Sequence, residues 1–182
     1  MKFESFAVTS AGASNETNRE NYFLNGFCKD DVTKKEAFGE NLAFGKKDIY
    51  AVADGSESAA SGEEAAFSVV NILREFLGSD FTHTYKMFFG VANDDIAGRI
   101  FKNNAQKEYA DMAVLYINRR KARVYNIGES KVFMLDGDKF RELSGKVPET
   151  VEVEESSVDD EDNLIVETVE KKVGKRLGMD AE

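Results

Sequence analysis

Apolar residues fall in short runs at the start of the chain, recur at three- and four-residue steps in its middle, and return to short runs after Met112. Lys2 to Ser10, with Phe3, Phe6 and Val8, alternates in part and predicts a strand. It enters a polar, turn-forming stretch from Ala11 to Asn21, and Tyr22 to Phe27 predicts a second strand. Lys29 to Lys47 is polar and charged and reads as a loop. Asp48 to Ala53 (DIYAVA) is a compact apolar run, read as a buried strand that delivers Asp54 to its tip. From Ser61 to Leu77 the spacing of Ala65, Ala66, Val69, Val70, Leu73, Phe76 and Leu77 predicts a helix. Ser61 with Glu64 fits a capping box at its start, and Gly78 fits its stop. A second helix is predicted over Asp94 to Ala105. Four strands follow, at Met112–Ile117, Lys121–Ile127, Lys131–Leu135 and Lys139–Leu143, as an antiparallel meander with a hairpin at Asp136-Gly137. Glu149 to Asp162 holds eight carboxylates in fourteen residues with no basic residue, and reads as a solvated, mobile loop. A final helix over Leu164 to Leu177, basic near its end and stopped by Gly178, closes the chain.

Strands, two helices, strands and a helix make an α+β layout, in which antiparallel sheets pack with helices outside. The chain of 182 residues fits a single domain, 1–182, long enough to bury a core, and 42% of it is hydrophobic. A net charge of −10 argues against a nucleic-acid footprint and against an anionic membrane surface. Cys28 stands alone, which excludes an intramolecular disulfide and a cysteine zinc cluster; it reads as a small buried hydrophobe. No apolar run approaches the roughly 20 residues of a membrane helix. MKFESFAVTS lacks the basic and apolar regions of a signal peptide, so the expected location is cytoplasmic.

The candidate chemistry centres on Asp54. A carboxylate at a strand tip, followed by a glycine carbonyl, supplies the hard oxygen donors that Mg²⁺ and Mn²⁺ prefer. The stretch DIYAVADGSESAASGEEAA resembles the V-A-D-G strand and following Gly-Glu-x-Ala helix of the protein phosphatase 2C (PPM) family. RVYNIGESKVFMLDGDKFRELS resembles that family's later N-x-G-D-S-R strand and hairpin, and Ala110-Asp111-Met112-Ala113-Val114 stands at its G-T-T strand start. GASNETNRENYF is similar to G-x-x-R-x-x-N-E-D, and KRLG to R-x-L-G.

The resemblance implies a four-layer α-β-β-α sandwich of two antiparallel sheets with flanking helices. It also implies two divalent metals, Mn²⁺ or Mg²⁺, activating a water that attacks a phosphoserine or phosphothreonine. On it, Asp54, Gly55 and Glu20 are the metal-site residues, with Glu129 and Asn18 supporting them. The implied partner is a phosphoprotein, the substrate of a Ser/Thr kinase; no nucleic acid and no membrane are expected. Several positions depart from the pattern. Arg19 takes the Glu position of N-E-D, and Asn15 takes the place of the phosphate-gripping Arg. Ser56-Glu57-Ser58-Ala59 replaces M-G-G-H, and His83, the only histidine, lies far from these motifs. The family's second S-D-G and late D-N, each carrying a metal Asp, do not appear before Glu182. An incomplete sandwich, exposed sheet edges open to self-association, and at most one weakly held metal are therefore expected. Two functions remain open: a metal-dependent protein phosphatase, or a catalytically inactive phosphatase-like binding or regulatory module.

Overall fold

The computed structural model describes residues 2–56, 62–103, 108–119, 121–144, 151–158 and 164–171. Its centre is a five-stranded antiparallel sheet in the order β3-β2-β5-β6-β7. The strands are β2 (Glu20–Leu24), β3 (Phe27–Cys28), β5 (Lys47–Gly55), β6 (Ala110–Asn118) and β7 (Lys121–Ile127). The apolar run that predicted a buried strand is β5, and it is central, with β2 on one side and β6 on the other.

Two helices, α1 (Gly62–Glu75) and α2 (Phe81–Asn103), cover one face of this sheet. Ala65, Ala66, Val69, Val70 and Leu73 of α1 are fully buried against Phe23, Ile49, Ala51, Met112, Val114 and Tyr116. Gly78 sits at φ +82° just beyond α1, the left-handed stop that the sequence predicts. Ser61, the expected cap, lies outside the described residues. Ser68 Oγ donates to Asp95 Oδ2 (2.7 Å) and Arg99 Nε to the same oxygen (2.9 Å), which joins α1 to α2.

The helix expected from Asp94 begins instead at Phe81. Asp80 caps it, accepting from Thr82 N–H (3.3 Å) and Thr82 Oγ1 (2.6 Å). The face of the missed turns that packs on the core is Phe81, Tyr85, Phe88, Phe89 and Ala92, spaced at three- and four-residue steps, while exposed Met87 and Val91 blur its contrast with the outer face.

On the other face lies a two-stranded antiparallel ribbon of β1 (Phe3–Ser10) and β4 (Glu36–Ala43). It packs on β2: Gly39 lies against the Tyr22 ring, and Asn41 Nδ2 donates to Leu24 O (3.1 Å). β4 corrects the expected loop over Lys29 to Lys47. Its half-buried or buried positions Ala37, Gly39, Asn41 and Ala43 are small or polar, whereas Phe38 and Leu42 face solvent, so the alternation runs opposite to the usual signal. Among the described residues the layers are therefore helix pair, sheet and ribbon. The chain is α+β with antiparallel sheets, consistent with the phosphatase 2C sandwich.

β8 (Phe133–Asp136) and β9 (Lys139–Glu142) form the predicted hairpin, with Gly137 at φ +57° in its turn. The acidic tract and the final helix are corrected: β10 (Val151–Val158) pairs antiparallel with β11 (Leu164–Lys171). VEVEESSV alternates at period two, and LIVETVEK is rich in β-branched residues, and both features favour strand over loop or helix. Cys28 is half-buried rather than buried, and Arg74 Nη2 donates to its sulfur (2.8 Å). Among the described residues no helix is long and apolar enough to cross a membrane.

One buried charge in this frame has a measurable cost. Asp48 is 1% exposed, with Oδ1 accepting from Asn25 Nδ2 (3.0 Å) and no hydrogen bond to Oδ2 among the described residues. Burial raises its pKa, so its neutral form is the one the fold favours. A raised folded pKa contributes stability that is present below the unfolded value and lost as pH rises through the folded one. Asp48→Asn keeps an acceptor for Asn25 and carries no charge. It is expected to raise stability at pH 7 by about 1 kcal/mol, a gain that vanishes below pH ~3.8. Urea midpoints at the two pH values check this, and a loss at pH 7 would contradict it.

Candidate metal centre

The strand register brings acidic residues together at one end of the sheet. Glu20 stands opposite Asp54 across β2–β5, and Asp54 stands opposite Asp111 across β5–β6. Directly opposed residues share a face, and like charges in that position repel. The three carboxylates separate accordingly. Glu20 turns toward the ribbon, where its Oε2 accepts from Thr9 Oγ1 (2.8 Å). Asp111 is buried; its Oδ2 accepts from Glu129 N–H (3.1 Å), and its carboxylate lies close against Gly128. It thereby braces the turn after β7, where Gly128 at φ +77° makes room for it. Asp54 is left exposed at the sheet end.

Asp54 borders a pocket of about 290 Å³ with Arg19, Gly55, Tyr109, Asp111 and Glu129. Glu20 does not line it; with Asp54 it borders a larger, mainly apolar cleft of about 840 Å³ between ribbon and sheet. Gly55 is buried, and its N–H donates to Arg19 O (3.0 Å), tying the end of β5 to the segment before β2. Ser56 continues the link, donating its N–H to Tyr109 O (2.9 Å). Asn18 is buried; its Oδ1 accepts from Thr9 Oγ1 (3.1 Å) and from Glu20 N–H (3.0 Å). Asn15, exposed, donates to Ala11 O (3.1 Å) within its own turn. His83 is exposed on α2, away from the site. Residues 57–59 of the replaced M-G-G-H stretch lie outside the described residues.

Of the residues expected at the metal site, Asp54, Gly55 and Glu129 border one pocket, together with Arg19, whereas Glu20 borders the larger cleft and Asn18 lines neither. Sequence reasoning missed Asp111, although the residue stands in the strand start compared with G-T-T. Pairing DIYAVADG in register with ADMAVLYIN would have set it beside Asp54.

No protein-family model and no curated protein matches the sequence. Solved structures do match its shape. The catalytic domain of the serine threonine protein phosphatase PstP, in complex with two manganese ions, superposes with a TM-score of 0.57 at 14% identity, over 79% of this chain and 56% of that one. A bacterial serine phosphatase superposes with a TM-score of 0.61 at 11% identity, over 80% of this chain and 55% of that one. The fold is that of these two phosphatase domains. This chain thus carries the phosphatase fold over little more than half the length of these two proteins.

A two-metal centre does not fit the described residues. Among the described residues no three of His, Cys, Asp and Glu come together as a group able to hold a metal ion. Glu20 faces the ribbon, Asp111 braces a turn, and Arg19 brings a cation to the pocket rim. An octahedral ion at Asp54 would draw most of its shell from water.

Proposed function

We propose that this chain is a phosphatase-fold module that engages a protein partner and regulates, rather than one that hydrolyses phosphoester by itself. The observation that carries the reading is the divergence of the carboxylate row: Glu20 is bound to Thr9 on the ribbon side while Arg19 lines the pocket beside Asp54. Hydrolysis in this fold is a matter of positioning and charge neutralisation, with a cation lowering the pKa of its bound water. The residues here supply a cation as a side chain, which activates no water. Asn15 also lacks the bidentate, charge-assisted grip of an arginine on phosphate.

The competing reading, a metal-dependent phosphatase acting on phosphoserine or phosphothreonine, draws support from Asp54, Asp111 and Glu129 bordering one pocket. On either reading the partner is a phosphoprotein or its binding site, the setting is cytoplasmic, and self-association runs through the edge of β7 that no described strand pairs.

Hydrolysis of p-nitrophenyl phosphate and of a phosphothreonine peptide in Mn²⁺ separates the two. Turnover at background, unchanged in Asp54→Asn, is expected. Turnover that Asp54→Asn abolishes would establish the phosphatase reading in its place.

A further inference from the structure

The ribbon of β1 and β4 carries its large apolar residues on the side away from the central sheet. Thr9 bonds to Asn18, Gly39 meets the Tyr22 ring and Asn41 bonds to Leu24, which fixes the inward side of both strands. Alternation then turns Phe6 (66% exposed), Val8 (80%), Phe38 (64%) and Leu42 (49%) to the opposite side. These four are contiguous. The register sets Val8 opposite Phe38, Phe6 opposite Glu40 and Glu4 opposite Leu42. An apolar stripe therefore runs from Leu42 diagonally through Phe6 to the Val8–Phe38 pair, within the reach of such side chains. Cross-strand pairs on one face recur about every 7 Å, so the stripe is about 14 Å long. It exposes on the order of 400 Å² of apolar surface, the size at which a patch on a monomer is a candidate interaction site.

Glutamates frame the stripe. Glu4 and Glu40 stand beside it, and Glu36 lies one pair beyond Phe38, opposite Ser10. Neither strand contains a lysine or an arginine. Glu4 pairs with Lys2 (2.8 Å), whereas Glu36 and Glu40 are in no ion pair among the described residues. A second copy would set the same glutamates, and a second net charge of −10, against this face, and like charges facing each other are costly. A partner strand would add to a ribbon edge through its backbone and leave the face bare. A helix lies across a face, as α1 and α2 lie across the central sheet. Apolar positions at i, i+4, i+7 and i+11 of a helix span about 16 Å, which matches the stripe.

We propose that the outer face of the β1–β4 ribbon docks a cationic amphipathic helix of a partner protein, its apolar seam on Phe6, Val8, Phe38 and Leu42 and its lysines or arginines at Glu36 and Glu40. No residue bordering the Asp54 pocket belongs to β1 or β4, so the inference goes beyond the function proposed above and is decided separately from the hydrolysis assay. The area is that of a small, transient interface.

The probe is a fluorescent helical peptide of about 18 residues with leucines along one side and lysines along the other, titrated with the chain at physiological salt. One-to-one binding with a Kd of about 10 µM is expected. A scrambled peptide of the same composition, and a counterpart with glutamate for lysine, are each expected to bind roughly tenfold more weakly or worse. Phe38→Ser, at an exposed position, is expected to weaken the Leu/Lys peptide by about tenfold or more, and Met87→Ser, exposed on α2, to leave it unchanged. Glu40→Lys is expected to weaken the Leu/Lys peptide and strengthen the Leu/Glu one. Equal binding of the scrambled peptide, or an affinity that Phe38→Ser does not change, overturns the proposal. If Phe38→Ser does not fold, Glu40→Lys decides, and an unchanged preference between the two peptides overturns it. A dimer in sedimentation that Phe38→Ser disperses would make a second copy the occupant, and overturns it as well.

Discussion

Gly55→Ala is expected to destabilise the fold by about 3 kcal/mol or more, because the added methyl meets backbone that no rotamer change can move. A Cβ at Gly55 would fall 1.8 Å from the carbonyl oxygen of Gly62 and 3.1 Å from that of Arg19. Gly62 faces the reciprocal constraint, since its Cβ would fall 2.2 Å from Ser56 O. The two glycines let the end of β5 and the start of α1 approach within backbone contact, and that approach sets Asp54 at the pocket. Gly78→Ala is the control: its φ of +82° disfavours a side chain, but nothing lies within 4 Å, so a cost near 1 kcal/mol is expected. Denaturant midpoints compare the two. Equal losses would show that the close approach of residues 55 and 62 is not what those glycines supply.

The second large effect lies in the aromatic cluster beneath α2. Phe81 is fully buried and packs on Phe76, Phe88, Tyr116 and Tyr125, with ring centroids between 5.3 and 6.5 Å. Phe81→Ala removes a ring that touches Phe88 of α2, Phe76 just beyond α1 and two strands, and is expected to cost about 3–5 kcal/mol. For a chain of this length that is a Tm lower by roughly 6–20 °C. Met87 lies on the same helix but is 57% exposed, and Met87→Ala is expected to stay within about 0.5 kcal/mol. Comparable losses at the two positions would contradict the burial face of α2.

The contrast between what was legible and what was not follows from the kind of signal each element carries. β5 and α1 combine an apolar pattern of the right period with Asp-Gly and Gly at their ends, so local and tertiary preferences agree. β4 is the reverse case. Its inward positions are Ala37, Gly39, Asn41 and Ala43, and Gly39 is small because the Tyr22 ring occupies the space above it. Sequence pattern cannot register a strand whose buried side is small because its partner is large. β10 was hidden by charge: an acidic tract reads as solvated, although Val151, Glu152, Val153 and Glu154 alternate at the strand period, and β11 was hidden by the basic residues and Gly178 after it, which fit a helix end.

The site divides along the same line. Asp54, Gly55 and Glu129 were legible because each sits in a short motif at a turn. Asp111 was not, because its significance comes from pairing register and burial. It lies opposite Asp54 only once β5 and β6 are aligned. Glu20 shows the limit from the other side. Its position in the motif is the expected one, yet its carboxylate is turned to Thr9.

On the proposed function, the phosphatase fold persists in this chain without a two-metal centre. Calorimetric titration of Mn²⁺ into the wild-type chain and into Asp54→Asn tests it most directly. The expected result is at most one ion, with a Kd of about 1 mM or weaker and no measurable binding in Asp54→Asn. Two ions bound with micromolar affinity, both lost in Asp54→Asn, would contradict the account.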